Sequence, residues 1–208
     1  MNTDRLETLR SFTRGELDRL QVSRKLGMSY YQVIQNLEIE GLATFELPHA
    51  HEMATAFIKR ETTAMVISDA GPLISLALRR SLNVLLQTNA KIYTTDQVCE
   101  EVTSETPQHA TDAIRNFLSE NADQINVFET MFSRFPQIDR ERPGVREGAA
   151  AQFLACLDEI IGESEYQATI LLEDCDIQHR HFHLPDNIQI LSTGALLLAK
   201  RIQNKQIN

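Results

Sequence analysis

From about residue 63 the chain alternates between short apolar runs and longer segments with helical spacing, and this alternation limits the possible folds more than any other feature. "TAMVIS", "KIYTT", "INVFE", "ATILLE" and "NIQIL" read as strands, being rich in Val, Ile, Thr and Leu. The segments between and after them read as helices: "GPLISLALRRSLNVLLQ", "TDQVCEEVTSE" (capped by Thr94 or Thr95), "PQHATDAIRNFLSE", "GVREGAAAQFLACLDEIIG", the short "CDIQHRHF" and the final "STGALLLAKRIQN". Apolar strands alternating with helices predict an α/β fold, an open parallel sheet with helices on both faces. Ligands of such sheets bind beyond the carboxyl ends of the strands.

Acidic residues gather where that rule directs attention. Asp69 follows the first strand, Glu101 sits beside Glu100 on the helix after the second, Glu147 opens a later helix, and Asp174 and Asp176 follow "TILLE". Each has an ordinary structural explanation, as a turn or cap residue, a solvated helix face or a partner of a helix dipole. Crowded together, they would raise one another's pKa values unless a cation neutralised them. Hard oxygen donors without His or Cys suit Mg²⁺ or Mn²⁺, the ions that activate water against phosphodiesters. Ser68 and Thr193, at strand ends, are read as helix caps before phosphate ligands.

Charge and composition narrow the function. Net charge is −9, and the excess is local: residues 1–61 hold 8 basic and 9 acidic side chains, residues 62–208 hold 12 and 20. A carboxylate-rich second part repels phosphate unless metal ions intervene. With 42% hydrophobic residues the 208-residue chain can bury a real core. It has no run of roughly 20 apolar residues to span a bilayer. The acidic start "MNTDRLETLRSFTRGEL" does not read as a secretory signal. Cys99, Cys156 and Cys175 form neither a zinc spacing nor a disulfide framework, which predicts a cytoplasmic protein. No Gly-rich phosphate loop occurs among the eight glycines, against a nucleotide-binding α/β protein.

The first sixty residues follow another pattern. "TRGELDRLQVSRKLG" has Leu17, Leu20, Val22 and Leu26 at near-helical spacing with Gly27 as a stop, and "SYYQVIQNLEIEGL" starts at the N-cap candidate Ser29 and runs to Gly41. Helix, Gly-containing turn, helix is the outline of a helix-turn-helix. "ATFELPHAHEMATAFIKRETT" reads as a connector with a short strand and another helix, in which His49 and His51 are bystanders. Domains are expected at 1–61 and 62–208.

"VISDAGPLISLALRRSLNVLL", "IYTTDQVCEEV" and "ILLEDCDIQHR…NIQILSTGALLLAKR" resemble, in order, a PIN domain, specifically its VapC-like branch, the toxins of bacterial toxin–antitoxin pairs. The resemblance runs over roughly residues 63–205. It implies an α/β/α sandwich and a Mg²⁺- or Mn²⁺-dependent ribonuclease that cuts RNA phosphodiester bonds. Asp69, Glu101 and Glu147 correspond to the first three acids, Glu147 lying where the family has a Gly-Glu-Ala helix start. The last acid is Asp174, which fits the strand end, or Asp176, which fits the spacing to Arg180; Asp174 is placed slightly ahead. Arg180 is expected on the RNA backbone.

"GELDRLQVSRKLGMSYYQVIQNLEIEGL" resembles the small helical antitoxins that accompany such toxins. By that resemblance Tyr30, Tyr31, Gln32 and Gln35 open a recognition helix that reads operator DNA, and Arg24 and Lys25 meet phosphates, most naturally in a homodimer. An antitoxin-like segment ahead of a toxin-like domain suggests a nuclease restrained in cis, with Lys59 or Arg60 of the connector expected against the carboxylates. The alternative is a non-catalytic DNA-binding regulator whose degenerate PIN domain mediates oligomerisation.

Overall fold

The computed structural model describes residues 3–43, 45–59, 63–105, 108–129, 167–179 and 186–206. Four helices come first: α1 (Thr3–Thr13), α2 (Arg19–Leu26), α3 (Tyr30–Ile39) and α4 (Ala50–Lys59). Then follow β1 (Thr63–Ser68), α5 (Ala70–Leu78), α6 (Asn83–Leu86), β2 (Lys91–Thr95), α7 (Asp96–Glu105), α8 (Gln108–Glu120) and β3 (Ile125–Phe128). After residue 166 come β4 (Gln167–Leu172), α9 (Asp174–His179), β5 (Ile188–Ser192) and α10 (Thr193–Gln206). The expected helix "GVREGAAAQFLACLDEIIG" lies outside the described residues.

All five strands pair in parallel, in the order β3-β2-β1-β4-β5. The chain moves from β1 out to β3 on one side and from β4 out to β5 on the other. The strand order therefore switches between β1 and β4, where an open α/β sheet has its ligand crevice. Alternation along the strands divides the core: Val66 and Leu171 face the helices α4, α5, α7, α8 and α10, while Met65, Ile67, Ala168, Ile170 and Leu172 face the other side. α4 precedes the expected boundary at 61/62, yet it packs on α10 and β5 and buries Ala50, Ala54 and Phe57 in the α/β core. No helix among the described residues is long and apolar enough to cross a membrane.

The segment read as one helix after Asp69 is two. Arg80 takes a left-handed conformation (φ 52°), with its N–H on the Ala77 carbonyl at 3.0 Å and the Ser81 N–H on the Leu76 carbonyl at 2.8 Å. This turn redirects the chain so that Leu82 and Leu85 reach the core, which a continuous helix would not do for both segments.

The first three helices enclose a separate cluster: Leu9, Phe12, Leu17, Val22, Tyr30, Val33, Ile34 and Leu37. Local signals set their ends. Asp18 caps α2 in a reciprocal box with Gln21 (Asp18 Oδ1 accepts the Gln21 N–H at 2.7 Å), and left-handed Gly27 (φ 62°) ends it. Ser29 and Gln32 form the same reciprocal pair ahead of α3. The cluster is completed from outside by Cys175 of α9, 3% exposed, so the helical unit is seated on the α/β layer beside the end of β4.

Candidate active site

Asp69 stands at the N-cap of α5 without a side-chain capping bond. Its backbone N–H still reaches the Leu171 carbonyl of β4 at 3.3 Å, which fixes the residue at the switch point. The side chain turns to Arg19, the first residue of α2. Arg19 Nη2 lies 3.3 Å from Asp69 Oδ2, Nη1 lies 3.5 Å from Glu101 Oε1, and Nε lies 3.1 Å from Asp176 Oδ2. One guanidinium thus touches carboxylates from α7, α9 and the end of β1. Its side chain is 8% exposed, against 14% for Asp69, 2% for Asp176 and 34% for Glu101. Burial works against the charge on Arg19, but Asp69, Asp176 and Glu101 outweigh it and hold the guanidinium protonated.

The capping geometry explains how Arg19 arrives there. Asp18 starts α2 in extended backbone, so the following side chain leaves the first turn toward the crevice. Opposite it, the second residue of α5 is Gly71, where a Cβ would come 2.6 Å from Glu173 Cγ and 2.9 Å from Arg19 Nη1. Only glycine leaves room there for the guanidinium and the Glu173 stem side by side.

Asp174 has a different role from Asp176. Its Oδ2 accepts the Gly194 N–H at 2.9 Å, at the start of α10, and its Oδ1 accepts the Leu47 N–H at 3.2 Å. Of the two alternatives after β4, Asp176 therefore joins Asp69 and Glu101 around Arg19, and Asp174 anchors a helix start and the chain ahead of α4. The expectation had put Asp174 first. Two residues of helix beyond Asp174 turn Asp176 into the crevice, a placement that strand-end position alone does not reveal. Glu147 and Arg180 lie outside the described residues.

A residue the sequence reading passed over is Glu173. It is 7% exposed, accepts Thr193 Oγ1–H on Oε1 at 2.8 Å and Tyr30 Oη–H on Oε2 at 3.1 Å. Thr193 therefore serves this carboxyl rather than capping α10, whose N-cap bond is donated by the Ala195 N–H to Ser192 Oγ at 2.9 Å. A signal existed: Glu173 and Asp174 are adjacent acids directly after a strand. Burial and the neighbouring Asp174 push the Glu173 carboxyl up to about 7, against the lowering effect of the Thr193 bond.

That shift has a stability consequence with a definite sign. The unfolded chain loses this proton near the ordinary value of 4.5, while the folded chain keeps it to about 7. Folding stability contributed by this group therefore falls as pH rises through that window and is level above it, by on the order of 3 kcal/mol in total. Melting temperatures of Glu173→Gln are expected to be flatter between pH 5 and 7 than those of the wild type. Parallel profiles for the two proteins would show that Glu173 ionises normally.

Two expectations for the helical unit change. Tyr30 and Tyr31 are 7% and 8% exposed, so the structure places neither where a base edge could meet it. Tyr30 is committed to Glu173, and the Tyr31 ring packs edge-on to His109 of α8 with centroids 6.1 Å apart. Gln32, Gln35, Arg24 and Lys25 remain exposed. The cation at the carboxylates is Arg19, not Lys59 or Arg60: Lys59 is exposed and Arg60 lies outside the described residues.

Residues 65–141 match the family model described as "DUF3368: PIN domain". The match supports a PIN-domain family. PIN domains are generally nucleases that use divalent metals. The matched segment runs from within β1 past β3 and includes Asp69 and Glu101, whereas Asp176 and Arg19 lie outside it. No curated protein and no solved structure is significantly similar to the chain.

The carboxylates of this PIN-like layer have the donor chemistry of a Mg²⁺ or Mn²⁺ site, but their arrangement here does not fit one. The guanidinium stands among them, and no group of three His, Cys, Asp or Glu among the described residues is arranged to hold a metal ion. A cation site is present, and its cation belongs to the protein.

Proposed function

We propose that the chain is a metal-dependent endoribonuclease of the toxin–antitoxin type whose N-terminal helices restrain it in cis. The single observation that carries this is the Arg19 guanidinium set between Asp69, Glu101 and Asp176 at the switch point of the sheet. Those three acids are the site set of this proposal, joined by Glu147 from the chain between β3 and β4. With Arg19 withdrawn, the oxygen donors of the crevice suit Mg²⁺ or Mn²⁺, which would polarise a phosphodiester and its attacking water. Asp69, Glu101 and Asp176 would then hold the ion. A crevice so negative admits an RNA backbone only after a cation is in place, and Arg180 is the candidate phosphate contact.

The helical unit adds a regulatory role. Arg24, Lys25, Gln32 and Gln35 are exposed polar residues of α2 and α3 and would meet operator DNA in a dimer, while Tyr30 and Tyr31 hold the unit on the α/β layer. In a purely non-catalytic regulator the same arginine would be a permanent counter-charge to the three acids, and only cleavage activity separates the two readings.

Cleavage of a mixed RNA substrate in Mn²⁺ tests the proposal. The intact chain is expected to cut slowly, Arg19→Ala at least tenfold faster, and Arg19→Ala combined with Asp69→Asn not at all. Folded Arg19→Ala protein that binds Mn²⁺ yet leaves RNA intact would overturn the nuclease and favour the regulator.

A further inference from the structure

Glu173 is buried at the crevice, contacts the helical unit and takes no part in the carboxylate set around Arg19. Each of its oxygens has a defined partner. Thr193 of α10 holds Oε1 from the α/β layer, and Tyr30 of α3 reaches Oε2 across the boundary between the two units. On the far side of the Tyr30 ring lies Phe12 of α1, edge-on at 6.2 Å and 79°. Beneath, the bare Gly71 leaves space for both Glu173 Cγ and Arg19 Nη1.

We propose that Tyr30 and Glu173 form a latch that seats the helical unit and positions Arg19 in the acidic crevice. The inference rests on the reading of Arg19 as the cis restraint and names what keeps it in register. The three ion pairs hold only the tip of one long side chain, so α2 itself could still pivot about it. A hydrogen bond from α3, anchored at the other oxygen by Thr193, fixes a second point of the same unit. A second point on the next helix removes motions that a single point allows. Tyr30 is thus a positioning residue, and its hydroxyl is the group that matters, since the ring alone would fill the same hydrophobic seat.

Hydrogen exchange of the intact chain tests this without reference to catalysis. Tyr30→Phe removes one oxygen atom and keeps the ring. The α2 and α3 amides are expected to exchange about tenfold faster, the equivalent of losing one buried hydrogen bond to a charged or strongly polar partner. Amides of β1 and β4 should hold their wild-type rates. Thr193→Val should accelerate the same helices, and Tyr30→Phe with Glu173→Ala should be no faster than the faster single variant, because both act through one bond. Unchanged α2 and α3 exchange in Tyr30→Phe would overturn the latch, as would acceleration spread equally over the sheet. Multiplicative effects in the double variant would overturn it too. If exchange behaves as expected while no variant cuts RNA, the latch stands and the nuclease falls.

Discussion

Arg19→Ala is expected to lose about 3–5 kcal/mol of folding stability in the presence of a chelator, the usual consequence of removing one partner from a buried ion-pair set. Three carboxylates would be left facing one another, two of them nearly inaccessible to water. Two responses are open to them. They can take up protons, or they can take up another cation. Millimolar Mn²⁺ is therefore expected to restore a large part of the lost stability to Arg19→Ala and to change the wild type little, since there the guanidinium already occupies the charge position. Thermal melts of both proteins with chelator and with Mn²⁺ give the comparison. Equal gains for both would mean that metal binds elsewhere. A full loss without rescue would mean that these acids do not hold a divalent ion once exposed to one.

The second large effect is expected from Phe12→Ala. Phe12 is 1% exposed, lies in the core of the helical unit and supports the Tyr30 ring. Truncation of such a side chain costs about 3–5 kcal/mol. The loss falls on the contact between the two units as well, because Cys175 of α9 belongs to the same cluster. In the wild type that thiol is buried, and burial together with the Asp176 and Glu173 charges raises its pKa, so it is doubly protected from alkylation. Opening that becomes 3 kcal/mol easier raises the population of the exposed thiol by roughly a hundredfold. Labelling of Cys175, followed by mass spectrometry, should accelerate to that extent in Phe12→Ala. A lower melting temperature with unchanged Cys175 labelling would show that the helical unit does not cover this face of α9 in solution.

Both predictions concern the contact between the first three helices and the α/β layer, which lies ahead of the expected boundary at 61/62 because α4 joins the α/β core. All five strands were legible because each is a compact apolar run between helical segments, the pattern a buried parallel sheet demands. The caps of α2 and α3 were legible for the same kind of reason: Gly27 and Ser29 act within a turn of their own positions. The break between α5 and α6 was not, since Arg79 and Arg80 carry no turn signature and the bend answers to packing of Leu82 and Leu85.

The site divides along the same line. Asp69 and Glu101 could be picked out because one directly follows the first strand and the other lies on the helix after the second, where the resembling motifs carry acids. Choosing between Asp174 and Asp176 needed the rotation of a six-residue helix, and Glu173 was overlooked although its adjacency to Asp174 was visible. Arg19 had no signal at all. One arginine in a Leu-rich amphipathic helix looks like any solvated residue, and its partners are contributed by three distant elements.

By itself, then, the sequence determined the parallel α/β layer, the helical unit ahead of it and the end of the sheet where acids collect, because periodicity and capping act over a few residues. Tertiary structure alone decided which cation those acids face, which acids share it and which tyrosine holds it there. Those outcomes depend on where two separately built units meet, and the energy of a buried charge is set by neighbours that no local pattern records.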